Sequence, residues 1–378
     1  MITNNKSLAI TSWDIISPAG IGKQSFTNSL QNKQPGLKRV LDNAVNRPPM
    51  EVYSIPEFDT VKFLGTKGTR SIDRTTALAI AAAGMALDNG QPPTAPSRER
   101  TGVVLGTSTG SLKSIGDFIH EMYVQQKPYF INPACFPNIV LNCAASQTAI
   151  RYGLKGINAT VSGGQMSMIL ALRYAFSKIA KGYIDSLITG SVEELSEQSA
   201  WSYYHSQFVN SDEKLAPGEG CAMFLLEETQ AAYARGVSPV AELLASEVRV
   251  YPVLAGETVG APQIKGLADC IHKVLEKVNV SPTSIDAVSK LKSCLPDIEK
   301  VQTESLRLAL GEAKPAYDLT VGDMVGDCFS ASGAFQLAAL LSLPQIYHLS
   351  ADCYGLMLSV QADGVVGCVL LKIRGLHP

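Results

Sequence analysis

The chain has few charges and almost no charge bias. Asp, Glu, Lys and Arg make up 17% of its 378 residues, and the formal net charge is −2. A near-neutral chain without a basic tail lacks the electrostatic footprint of a nucleic-acid binder. So sparse a charge count is compatible with a large subunit interface. No apolar run approaches the ~20 residues that span a bilayer, and polar residues 1–6 carry no signal-peptide core. The expectation is a soluble cytoplasmic protein that makes no membrane contact. Eight cysteines are present: Cys135, Cys143, Cys221, Cys270, Cys294, Cys328, Cys353 and Cys368. They include no CxxC pair and no His/Cys cluster with zinc spacing, so no metal site is expected. They read as buried free thiols in a reducing compartment. Coiled-coil heptads, solenoid periods and a close repeat between the two halves are absent as well.

What is there is apolar bulk, 46% of the residues, enough for a substantial core. Residues 7–17 read as a strand ended by Pro18-Ala19-Gly20. Helices are expected over 21–30, 72–88, 229–235, 266–278, 301–310 and 332–343. A further helix over 137–152 has two largely apolar faces and should be buried on most sides. Strands are expected over 102–107, 184–190, 220–227, 240–250, 285–289 and 362–372. Alternating strands and helices in both halves argue for a layered α/β fold.

The sharpest local signal is residues 159–172, ATVSGGQMSMILAL. A β run, a glycine turn and an amphipathic helix make the corner on which many enzymes expose a nucleophile. The helix N-terminus there would stabilise a thiolate or an oxyanion. Gln165 occupies the corner, and a carboxamide forms no covalent acyl intermediate at neutral pH.

Several motifs, in order, resemble the β-ketoacyl synthases. Residues 15–20 (IISPAG) resemble the family's opening strand and turn, and 70–76 (RSIDRTT) its helix entry. Residues 151–156 (RYGLKG) precede the elbow strand. Residues 182–190 (GYIDSLITG) with Glu193, 217–220 (PGEG) and 233–236 (YARG) follow as the family has them. The resemblance implies a thiolase-like fold, layered αβαβα, with two pseudo-symmetric halves over 1–238 and 239–378. It also implies a cysteine nucleophile, two histidines and a lysine. Gln165 stands at the cysteine position, Leu291 and Asp327 at the histidine positions, and Gly322 at the lysine position. Residues 360–364 replace the closing glycine-rich loop. Leu291 donates nothing, and Asp327 would repel an enolate. His120, His205, His272, His348 and His377 fall in no matching motif and read as surface or packing residues.

A Gln at this position resembles the chain-length factors of type II polyketide synthases, which pair with a working ketosynthase. The alternative is the malonyl-loading decarboxylase class, which also carries Gln but keeps both histidines. The resemblance therefore implies a heterodimer, or a dimer of heterodimers, with a catalytic ketosynthase, served by an acyl carrier protein. Its chains ride on phosphopantetheine, so no cofactor of its own is expected. An aromatic polyketide is favoured over an aryl polyene as the product. The strand Asn158, Thr160, Ser162 would pair across the dimer axis. Phe136, Asn138, Ile139 and Val140 would reach the partner, with Ile139 and Val140 facing its acyl tunnel. Ile115, Phe118, Ile119 and Met122, at helical spacing, form either a second tunnel lining or an ordinary core stripe. Gln165 either assists priming by decarboxylation or plugs a dead pocket.

Overall fold

The computed structural model describes residues 7–41, 47–89, 97–127, 129–206, 215–254, 256–293 and 296–376. Residues 1–6, Cys294 and His377 lie outside them. The strands are β1 (Leu8–Ser17), β2 (Gly20–Ile21), β3 (Lys38–Leu41), β4 (Met50–Tyr53), β5 (Thr101–Gly106), β6 (Asn158–Val161), β7 (Ser186–Glu193), β8 (Gly220–Glu228), β9 (Ala241–Val250), β10 (Ile285–Lys290), β11 (Tyr317–Thr320), β12 (Cys353–Val360) and β13 (Val365–Ile373). The helices are α1 (Lys23–Gln31), α2 (Thr60–Leu64), α3 (Arg74–Asn89), α4 (Leu112–Val124), α5 (Cys143–Tyr152), α6 (Ser167–Ala180), α7 (Glu197–His205), α8 (Thr229–Ala234), α9 (Ala261–Val278), α10 (Pro296–Leu310), α11 (Gly322–Val325) and α12 (Ser330–Tyr347).

One continuous sheet runs β11-β10-β12-β13-β9-β1-β8-β7-β5-β6, with β2 paired to β1. It consists of two sets of five strands built alike. Counted along the chain, each set is ordered third, second, fourth, fifth, first. In each set the second, third and fourth strands are parallel. The fifth is antiparallel to both of its neighbours. The sets meet where β1 and β9 pair antiparallel, Leu8 against Leu243 and Ile10 against Ala241.

Five layers follow from where the apolar faces point. Helix α12 is buried at every position from Ser330 to Pro344. A helix apolar on all sides belongs in the middle of a fold, and α12 packs there with α6 between the two strand sets. Alanine-rich α3 lies on the outer face of the first set with α5. Its small side chains let it approach closely, and a Cβ on Gly84 would collide with the Tyr152 hydroxyl. Helices α9 and α10 cover the outer face of the second set. Among the described residues no helix is long and apolar enough to cross a membrane.

Two sequence expectations need correction. Residues 137–152 are not one buried helix. A 3-10 turn, Pro133–Ile139, is followed by extended Val140, and α5 starts only at Cys143. Pro137 supplies no N–H for a continuous helix. Phe136, Val140, Leu141 and Ile150 are exposed. The stripe Ile115, Phe118, Ile119 and Met122 is not core either, because α4 contains no buried residue. Helices α9, α10 and α12 also begin earlier than the apolar periodicity indicates, because polar first turns hide helix starts.

Candidate functional site

At the elbow, β6 ends and the chain turns through Gly163 and Gly164 into α6. Gly164 sits at φ 54, a left-handed conformation that suits glycine. The Ser167 hydroxyl donates to Gly164 O at 2.7 Å and accepts from Gly163 N at 3.0 Å, which fixes the bend. Two side chains, one near the end of β12 and one in the turn after it, hold it from the other half. Gln361 Nε2 donates to Gly163 O at 2.7 Å, and Ser359 Oγ reaches Gln165 O at 3.5 Å. Gln361 thus lies over the elbow.

Half-buried Gln165 lies near Asp327, and its amide favours the ionised carboxyl. Asp327 is buried, and its Oδ1 accepts the Phe329 N–H at 3.0 Å. Burial raises the Asp327 carboxyl above its ordinary value, and the Phe329 N–H and the Gln165 amide oppose the rise. Phe329 has φ 48, a strained value for an aromatic residue. Strain of this kind persists where the surroundings over-determine it, and here it directs the Phe329 N–H at the carboxylate.

The other two positions are brought near one another. Leu291 is buried, and its N–H and C=O are both gripped by the Gln302 amide on α10, at 2.8 and 2.7 Å. Gly322 lies against the stem of Lys292, where a Cβ would come within 2.6 Å of Lys292 Cβ. The lysine stem therefore crosses the place a side chain at 322 would need. Its amine turns away to Asp323 at 2.6 Å. His120, His205, His272 and His348 are all exposed. Cys328, beside Asp327, is fully buried, and burial with nearby carboxylates pushes its thiol far up. Among the described residues nothing around Gln165 forms a nucleophile–base pair.

Motif reading also missed the weight of a buried acidic group next to the elbow. Glu193 is wholly buried, accepts the Ser330 hydroxyl at 2.6 Å and takes the Ser108 N–H. Burial lifts its carboxyl from the ordinary 4.5 to about 7. Glu194, which accepts Lys113 N at 2.9 Å, and Asp73 are raised by burial too. The Glu193-Glu194 pair directly after an apolar strand was the available signal. The folded chain keeps the Glu193 proton up to about pH 7, whereas the unfolded chain releases it near 4.5. Stability therefore falls as pH rises across that window, by about 3 kcal/mol at ~1.4 kcal/mol per unit. Glu193→Gln, which keeps an acceptor for both donors, should flatten the melting temperature between about pH 5 and 7.5. An unchanged slope would assign the proton to another group.

A separate face gathers the remaining sequence candidates. Strand β6 is the sheet's outer strand. Asn158 Nδ2 donates to Ala145 O at 3.0 Å and Ser162 Oγ to Ser108 O at 3.0 Å. Thr160 Oγ1 is shielded from solvent and has no hydrogen-bond partner among the described residues. On α4, Ile119, Met122, Tyr123 and Val124 are exposed, with Phe130, Phe136, Val140 and Leu141 of the following loop. Exposed apolar side chains in such number suit an interaction surface. Phe118 packs edge-on against Phe136 at 6.3 Å. Asn138 Nδ2 donates to Ser71 O at 2.8 Å. Phe118, Cys135 and Asn138 line a cavity of about 650 Å3 below the patch, with Arg70, Arg74 and Glu194 on its walls. Ile115 and Ile139 are half-buried and do not line it.

Residues 5–232 match the family model described as the β-ketoacyl synthase N-terminal domain. Over 363 residues the chain is 23% identical to 3-oxoacyl-(acyl-carrier-protein) synthase 2 of Vibrio harveyi, covering 90% of this chain and 86% of the relative. Its structure superposes on the ishigamide ketosynthase/chain length factor with TM-score 0.81 and 30% identity, over 98% of this chain and all of the other. A β-ketoacyl synthase from Burkholderia phymatum gives TM-score 0.82 at 18% identity over 97% and 99% of the two chains, a likeness of fold. The layers and strand order above are thus the thiolase-like ketosynthase fold, and the chain belongs to the β-ketoacyl synthase family.

Proposed function

We propose that the chain is the non-catalytic, length-setting partner of a catalytic ketosynthase in a type II polyketide synthase. The observation that carries this reading is the elbow. The scaffold for a nucleophile is intact, and an amide beside a buried carboxylate fills it. A malonyl-loading decarboxylase would need donors for the enolate oxygen. Leu291 and Asp327 offer none, so Gln165 serves as a plug.

The pairing surface is β6 with the apolar patch of α4 and the loop before α5. Extension of the sheet through β6 would give the outer strand a partner, and the orphaned Thr160 hydroxyl a place to bond. Residues 1–238 and 239–378 act as the two pseudo-symmetric halves. The growing chain, carried on the phosphopantetheine of an acyl carrier protein, threads from the partner's thiolate towards the hollow lined by Phe118 and Asn138. Length is limited sterically, because forcing extra carbons into a filled space costs ~1–3 kcal/mol.

Phe118→Ala, co-expressed with a ketosynthase that has its cysteine and both histidines, should lengthen the products. A gain of ~1.4 kcal/mol of room shifts the ratio of successive lengths about tenfold. Mass spectrometry of the products reads this. Unchanged lengths from an intact heterodimer would remove the tunnel assignment. The same products separate an aromatic polyketide, the reading carried here, from an aryl polyene, which absorbs visible light.

A further inference from the structure

A second hollow lies on the other side of Arg74, beside β3. Its volume is about 370 Å3, within the usual range for ligand sites. Arg39, Arg47 and Arg74 face it, with Glu197 and Glu219 as the only carboxylates on the wall among the described residues.

The donors and acceptors do not balance. Glu219 is fully engaged. It takes Arg74 Nε at 2.7 Å and Nη2 at 2.6 Å, and the N–H groups of Ile55 at 3.3 Å and Leu195 at 3.2 Å. Glu197 meets Arg47 Nε alone, at 3.5 Å. Arg39 has no acidic partner, and Arg74 Nη1 has no acceptor, among the described residues. Among the described residues, three guanidinium groups against two carboxylates leave a net charge of +1, with N–H groups of Arg39 and Arg74 unpaired. Guanidinium forks present paired donors at the spacing of phosphate oxygens.

We propose that this hollow binds a phosphate group. The volume exceeds that of the free anion, so the geometry suits a phosphate ester whose remainder fills the space between the hairpin and Leu195. The site is separate from the elbow and from the apolar patch of α4, and it stands whether or not the pairing proposed above is correct.

The test is thermal unfolding of the full chain, in whatever assembly it is purified, at constant ionic strength. The probes are inorganic phosphate, 4′-phosphopantetheine and adenosine 3′,5′-bisphosphate, with chloride as control. A saturable rise in melting temperature is expected with at least one phosphate probe. The Arg39→Ala/Arg47→Ala pair should weaken the apparent affinity by about tenfold or more, as loss of charged hydrogen bonds implies. Arg39→Lys/Arg47→Lys keeps the charge without the fork and should retain a weaker, saturable shift; it also serves if the alanine pair misfolds. The probe with the largest shift identifies whether phosphate, a carrier-type ester or a nucleotide is the natural source. No saturable shift with any probe, or an equal shift in the substituted chains, overturns the site.

Discussion

Gln165→Cys will not turn this chain into a synthase. A thiol at a helix N-terminus is ordinarily pulled towards the thiolate. Here it would lie near the Asp327 carboxyl, and a neighbouring negative charge favours the protonated thiol. Nor would an acylated thiol find its donors. Leu291 is apolar, Asp327 accepts hydrogen bonds when ionised, and the described histidines all lie on the surface. Loss of one oxyanion donor costs about 10²–10³ in turnover, and two are missing. The expected result is no acyl adduct at position 165 by intact-protein mass spectrometry after incubation with an acyl thioester. Condensation should match that of the unmodified chain. An adduct accompanied by turnover would show that the pocket is still a catalytic one, and the plug reading would be lost.

Charging the apolar face should abolish partnership without unfolding the chain. Ile119 and Phe136 are 47% and 57% exposed, so Ile119→Glu with Phe136→Glu disturbs little of the chain's own packing. Surface changes of this kind stay within about 0.5 kcal/mol. At a desolvated interface the same two groups would be central anchors worth about 2 kcal/mol or more each. Burying unpaired carboxylates adds to that cost. Affinity for the ketosynthase should fall by roughly 10³-fold, while the melting curve of the isolated chain stays in place. Co-elution on a sizing column reads the first, and circular dichroism the second. Undiminished co-elution would place the partner elsewhere.

The fold was largely legible in the sequence, because strands such as β8 and β13 are nearly continuous apolar runs and the elbow announces itself by two glycines before an amphipathic helix. The short strands β3, β4 and β11 passed unnoticed, since four residues carry little periodicity, and so did the eight-residue β12. The site was harder. Periodicity in α4 shows an apolar stripe but not whether it faces the chain's own core or someone else's. That depends on tertiary placement, and α4 proved to bury nothing. Gln361 and Ser359 could not be assigned to the elbow from spacing, because they arrive from almost two hundred residues away. Lys292 is the same kind of case: its stem fills the ground in front of Gly322 although the motif puts the lysine at 322 itself.

The two ends of the long sheet are unlike. At one end β6 leaves its edge open. At the other, β11 carries Asp318, whose carboxylate is exposed and paired with Lys290 at 2.8 Å. Charge on a terminal strand discourages further pairing. If β6 pairs as proposed, a molecule with one open rim and one guarded rim would add a single neighbour and stop, and the sheet's own asymmetry would disfavour growth into fibres.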